Sequence, residues 1–208
     1  EVSVETLSID GECHVIQITD KLTTGAPHYV EMGHSQPTRH SKEIVEKISE
    51  VAKAANKAIG IKNGPSHTEI IITPEGPKIV EIGARLGGDN ITTHLVPLST
   101  GVNMVECCIR IALGEKPDID AKWCKGAAIR YFEQHAGIVK SISGIEKAKK
   151  VAGVQQISIV HGVGEEVTEI DSSASRIGFV IAQDENSEKA IRDCYDALDK
   201  ITILIRQV

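Results

Sequence analysis

Aromatic residues make up only 3% of the 208-residue chain, so its core must be built mainly from Ile, Val, Leu and Ala. No basic run with interleaved aromatics occurs, and 29 acidic against 23 basic residues leave a formal net charge of −6. Phosphate backbones are bound by clustered Lys and Arg, so this balance argues against a nucleic-acid partner. There is no stretch of 18 uncharged apolar residues, hence neither a transmembrane helix nor a membrane partner is expected. No signal peptide is recognised. The five cysteines (Cys13, Cys107, Cys108, Cys124, Cys194) form no CxxC pair and no metal spacing. They read as reduced thiols of a cytoplasmic protein. A hydrophobic content of 41% suffices for one medium domain or two small ones.

The most informative stretch is 64–90. Two apolar runs, 69–73 and 77–82, flank Pro74-Glu75-Gly76, the pattern of a β-hairpin with a short turn. With Glu75 at the centre of the turn, residues whose numbers sum to 150 lie opposite each other, and Glu69 faces Glu81. Carboxylates at directly paired positions sit about 5 Å apart at Cβ and repel. The neighbours Ile70, Ile71, Ile79, Val80 and Ile82 point to a buried setting, where repulsion grows. A proton on one carboxylate, an inserted basic side chain or bridging divalent cations would each relieve it. The cation is favoured, because Mg²⁺ takes one or two carboxylates and fills its shell with substrate phosphates. A salt bridge from Arg85 to one glutamate is the plainer alternative. Arg85 follows Glu81 by four residues and shares its parity if the strand persists. Gly87-Gly88 then lets backbone approach an anion closely, and Asp89 or Asn90 is placed to cap a short helix.

Elsewhere the pattern predicts strands at 1–8 and 12–20 around an Asp10-Gly11 turn, with Glu1, Ser3 and Glu5 on one face, either solvated or offering acceptors to hydroxyl groups. Residues 22–40 read as a loop rich in polar groups. Its Glu31 could take an amino group, and His34 or Arg39 a carboxylate; an exposed polar loop is the alternative. A helix over 41–60 has Ser41 as N-cap, Gly60 as its stop, and an apolar stripe of Ile44, Ile48, Val51, Ala55 and Ile59. A second helix, 102–113, repeats Val102, Val105, Ile109 and Ala112. From about residue 121 short strands near 126–132, 137–142, 154–160, 176–183 and 201–206 alternate with helical segments at 144–151 and 186–199, a separate α+β unit. Arg130 and Arg176, in or beside its strands, read as structural.

The motifs His67-Thr68-Glu69 and Glu81-Ile82-Gly83-Ala84-Arg85-Leu86-Gly87-Gly88 resemble those of the ATP-grasp superfamily, and the layout of residues 1–60 extends the likeness. Glu31-Met32-Gly33-His34, followed by Pro37, is similar to the substrate loop of the ligases that join amino acids. Residues 126–206 are similar to their extra C-terminal domain. The resemblance implies an α+β fold: the C-terminal half of an ATP-grasp domain (antiparallel sheet with helices) over 1–118, then a small α+β domain over 119–208. It implies ATP and Mg²⁺ (or Mn²⁺) as cofactors, with Glu69 and Glu81 on the metal and Glu5 and Lys21 near the nucleotide. Arg85 would act at the reacting carbonyl and its acyl phosphate. Glu31, His34, Gly87 and Gly88 would contact substrate. The partners would be a small-molecule carboxylate and an amine, such as amino acids; oligomeric state stays open, a homodimer included.

Two departures stand out. Gly83 occupies a position where the family often has a metal-binding Asn. The first half of the ATP-grasp domain is not in the sequence, so a fragment of a larger ligase is expected, inactive on its own. Other ATP-grasp activities (carbamoyl phosphate synthase-like, biotin-carboxylase-like or purine-pathway ligase), a non-catalytic nucleotide-binding module and a plain interaction domain are the competing readings.

Overall fold

Asp10 and Gly11, at φ 52° and 85°, close the first hairpin, joining β1 (Val2–Ile9) to β2 (Glu12–Thr23). In the structure, a computed structural model that describes residues 1–207, this hairpin lies inside an eight-stranded sheet. The other strands are β3 (Glu31–Gln36), β4 (Gly64–Thr73), β5 (Gly76–Gly83), β6 (Gly126–Tyr131), β8 (Val154–Ile159) and β10 (Gly178–Asp184), in the order β5-β4-β1-β2-β3-β6-β10-β8. Each neighbouring pair is antiparallel. A smaller sheet joins β11 (Thr202–Arg206), β7 (Gly137–Ser143) and β9 (Glu166–Val167). The ladder between β3 and β6 therefore carries one sheet from the first half of the chain into the second.

Helix α1 (Lys42–Ile59) covers one face of the first half, where Ile48 and Ala52 pack with Val2, Val4, Ile18 and Ile70. Ser41 caps it by accepting from the Ile44 amide, and Gly60, at φ 81°, ends it as expected. Its buried stripe is Ile48, Ala52, Ala55 and Asn56, while Ile59 is exposed. The opposite face is covered by a π-helical turn (Ile91–Leu95), α2 (Val96–Thr100) and α3 (Met104–Ala112), around Leu7, Leu95, Met104, Cys107, Ile129 and Ile181. Asn103 caps α3, which turns Met104 and Cys107 inward and leaves Val105 and Ile109 exposed, contrary to the stripe read from sequence. In the second half, α4 (Ile145–Ala148) and α5 (Ser187–Leu198) share a core with the two sheets through Ala148, Ala190, Cys194, Ala128, Val180, Val139 and Ile205. All five cysteines are free thiols. No single helix among the described residues is long and apolar enough to cross a membrane.

Candidate active site

Strand pairing alone assembles most of the site. Ser3 on β1 lies opposite Glu69 on β4, and Glu69 lies opposite Glu81 on β5. One step along, Glu5 faces His67, and His67 faces Gly83. Lys21 on β2 faces His34 on β3. Alternation puts these side chains on the sheet face that carries the π-helical turn.

The Glu69–Glu81 pairing matches the expectation, but the turn does not. Thr73 pairs with Gly76 and Ile70 with Ile79, so the turn holds only Pro74 and Glu75. A bulge between Glu69/Ile70 absorbs one extra residue, Val80, and restores the register at Glu81. Nor is the setting buried as expected: β5 is the edge strand, Val80 is 54% exposed, and the Glu81 side chain is 61% exposed against 23% for Glu69.

A second bulge acts on β3, which occupies part of the stretch read as a loop. Leu22 pairs with Gly33 but Thr23 with Glu31, so Met32 is the extra residue. Residues three apart normally point to opposite faces; the bulge brings Glu31 and His34 to the same one. They join Ser3, Lys21, His67, Glu69, Arg85, Gly88, Asp89, Ile91 and Ser173 around a cleft of about 160 Å³. Arg39 is directed elsewhere, to Asp20 at 3.2 Å, which also binds the Thr38 hydroxyl. Glu5, expected beside a ribose, is fully buried behind Gly87 and outside the cleft lining.

Basic side chains pair with the carboxylates. Lys21, 3% exposed, donates to Glu1 and Glu69, each at 2.7 Å, and lies 3.8 Å from Glu31. Burial opposes its charge, but Glu1 and Glu69 outweigh burial and raise its pKa. His67 donates from Nδ1 to Glu5 at 2.6 Å and from Nε2 to Glu69 at 3.4 Å. Burial lowers its pKa, yet the hydrogen bonds to Glu5 and Glu69 lift it to about 9. The His67 bond, with Lys21, draws Glu69 down to about 2. Arg85 and Glu81 form an exposed pair at 3.5 Å, a contact of little energetic weight. Gly83 leaves space along the Arg85 side chain, which a Cβ there would meet at 3.2 Å.

Across the cleft, Asp89 accepts from His34 Nε2 at 3.1 Å and from Arg176 at 2.6 and 2.8 Å. Burial would raise its pKa, but Arg176 and His34 hold it well below the usual carboxylate range. Arg176 also donates to the Glu31 carbonyl at 2.8 Å and lies 3.7 Å over the Tyr131 ring. Asn90, at φ 61°, stands at the N-cap position of the π-helical turn but makes no side-chain cap bond, and Asp89, at φ 50°, is committed to Arg176. From sequence Asp89 reads only as a candidate cap and Arg176 only as structural, and Ser173 does not stand out. His67 carries no role there, although two-residue parity with Glu69 was signal enough. Arg176 is 87 residues from Asp89 and carried no comparable sign.

The donor set suits a hard divalent cation. Glu69 and Glu81 bring two carboxylates to paired positions, and no group of three or more metal-ligating side chains occurs among the described residues. Mg²⁺ needs only one or two, completing its shell with water and phosphate.

The ATP-grasp domain family matches residues 1–93, and L-amino acid ligase C-terminal domain 2 matches residues 130–206. The L-arginine-specific L-amino acid ligase of Bacillus subtilis is 26% identical over 177 residues, covering 84% of this chain and 42% of that protein. The crystal structure of L-amino acid ligase from Bacillus licheniformis superposes with a TM-score of 0.88 at 25% identity, over 99% of this chain and 54% of that one. Phosphoribosylglycinamide synthetase from Anaerococcus prevotii shares the fold, with a TM-score of 0.87 at 21% identity over 99% and 53% of the two chains. The chain spans 40–42% of the length of the curated relatives it matches first.

Proposed function

We propose that this chain, whose residues 1–93 match the ATP-grasp domain family, is part of an ATP-dependent ligase that joins a carboxylate to an amine, of the L-amino-acid ligase kind. Two units divide near residue 118, the ATP-grasp part before it and the amino-acid-ligase C-terminal part after it. The observation that carries the reading is the convergence of Lys21, Glu31, His34, Glu69 and Arg85 on one cleft. The match of residues 130–206 to the L-amino acid ligase C-terminal domain favours this branch over the purine type.

Glu69 and Glu81 would hold Mg²⁺ or Mn²⁺. When bound, the metal neutralises charge on the transferred phosphoryl group of ATP. The carboxylate oxygen of the acid substrate would attack the γ-phosphorus as its bond to ADP breaks, and the acyl phosphate would stay bound. The amine then attacks the carbonyl and phosphate departs. Arg85 keeps an exposed guanidinium beside the hairpin and meets the negative charge of the acyl phosphate or developing oxyanion. Lys21 balances the carboxylates until phosphates arrive. Glu31, with one oxygen 3.4 Å from the Ser173 hydroxyl, faces an ammonium group. His34 faces the substrate from the neighbouring wall. Gly88 is open enough to offer its amide to a carboxylate, whereas Gly87 is packed against Glu5 and His67. Free thiols fit a reducing compartment, the cytoplasm.

The test is ADP release by the intact protein with ATP, Mg²⁺ and pooled amino acids. Release that needs two amino acids together, and that Glu31→Ala abolishes, supports the reading. Release only with bicarbonate or a purine precursor moves the protein to another branch and voids the roles of Glu31 and His34.

A further inference from the structure

Glu5 is a carboxylate with no solvent exposure. Burying such a group is costly unless it is paired. Among the described residues its only side-chain partner is His67, opposite it on β4 at 2.6 Å, and its second oxygen has none. The far nitrogen of the same imidazole reaches Glu69. An imidazole gripped at one end by a buried carboxylate has a fixed ring plane and a fixed direction for its other N–H, the arrangement by which outer groups orient metal ligands. Gly87 closes against this pair: a Cβ there would lie 2.7 Å from His67 Nδ1 and 2.8 and 2.9 Å from the Glu5 oxygens. Only a glycine lets the turn after Arg85 seat so closely. Thr92 fastens the turn from the other side, donating to the Gly87 carbonyl at 2.8 Å.

We propose that Glu5 and His67 are positioning residues: together they aim the Glu69 carboxylate at the metal and, through Gly87, seat the turn that carries Arg85. The proposal rests on the reading of Glu69 as a metal ligand. It replaces the ribose contact expected of Glu5 with a role exerted from behind the strand.

The experiment titrates Mn²⁺ in the presence of ADP into the intact protein and follows free Mn²⁺ by electron paramagnetic resonance. Loss of an outer partner of a metal ligand typically weakens metal affinity about 10–100-fold. Glu5→Gln and His67→Gln should each fall in that range. The double variant should lose less than the product of the two single losses, because Glu5 and His67 act as one hydrogen-bonded pair. Gly87→Ala leaves every polar side chain in place and should produce the same defect by displacing the pair, so it carries the test if Glu5→Gln does not fold. Wild-type affinity in Glu5→Gln or in Gly87→Ala, alongside loss of binding in Glu69→Gln, overturns the proposal and leaves the metal assignment standing. Wild-type affinity in Glu69→Gln overturns the metal assignment itself.

Discussion

Arg176→Ala is the substitution whose consequence can be worked furthest. The guanidinium and Asp89 share two hydrogen bonds, at 2.6 and 2.8 Å, with the side chains 7% and 23% exposed. Removing one partner of a buried ion pair strands the other and costs about 3–5 kcal/mol. The residual exposure of Asp89 and the bond it keeps from His34 put this pair near the lower end, about 3 kcal/mol. In a chain of this size each kcal/mol moves Tm by roughly 2–4 °C, so Arg176→Ala should melt about 6–12 °C below the wild type. Asp89→Ala should lose a similar amount. The double variant strands no charge, so it should lose less than the sum of the singles by about 2 kcal/mol. Thermal unfolding followed by circular dichroism at pH 7 measures all four corners of the cycle. Strictly additive losses would refute the claim that this pair ties the second half of the chain to the cleft.

Two further outcomes are expected. His67 is raised from an ordinary 6.5 to about 9, so the stability it contributes is fully present below pH 6.5 and is lost as pH rises through 9. At 1.36 kcal/mol per pH unit this amounts to about 3 kcal/mol; the urea midpoint of the metal-free protein should fall over that window, and His67→Gln should remove most of the slope. Gly126→Ala would drive a methyl into the Asn186 carbonyl and the Ser187 amide at the start of α5. Backbone cannot yield there as a side chain can, so a loss of about 3 kcal/mol is expected in urea unfolding, with wild-type behaviour as the result that would contradict the packing.

The elements of the second half were legible because each is short, periodic and bounded by glycine or polar residues. The helix over 187–198 and the strands at 126–131, 137–143 and 202–206 fall within two residues of the expected spans. The face of α3 was not legible. Val105, Ile109, Met104 and Cys107 are all apolar, so periodicity gave two acceptable stripes, and packing against the sheet selected Met104 and Cys107. The hairpin was located by its turn residues, yet its register near the turn was misjudged, and Glu69 met Glu81 only because the bulge at Val80 compensated. The loop expected over 22–40 hid β3, whose hydrogen bonds come from β2 and from β6, a strand 90 residues further on.

By itself, the order of residues determined what local chemistry can determine: the Glu69/Glu81 hairpin, the cap at Ser41 and the motifs that resemble those of the ATP-grasp superfamily. These depend on neighbours a few positions apart, where alternation and turn preference act. Tertiary structure decided the rest. It buried Glu5 behind Gly87, turned Glu31 and His34 to one face through a bulge, and brought Arg176 onto Asp89 from the far half of the chain. Burial and long-range pairing depend on which strands become neighbours, and that is settled by the whole sheet closing around its cores.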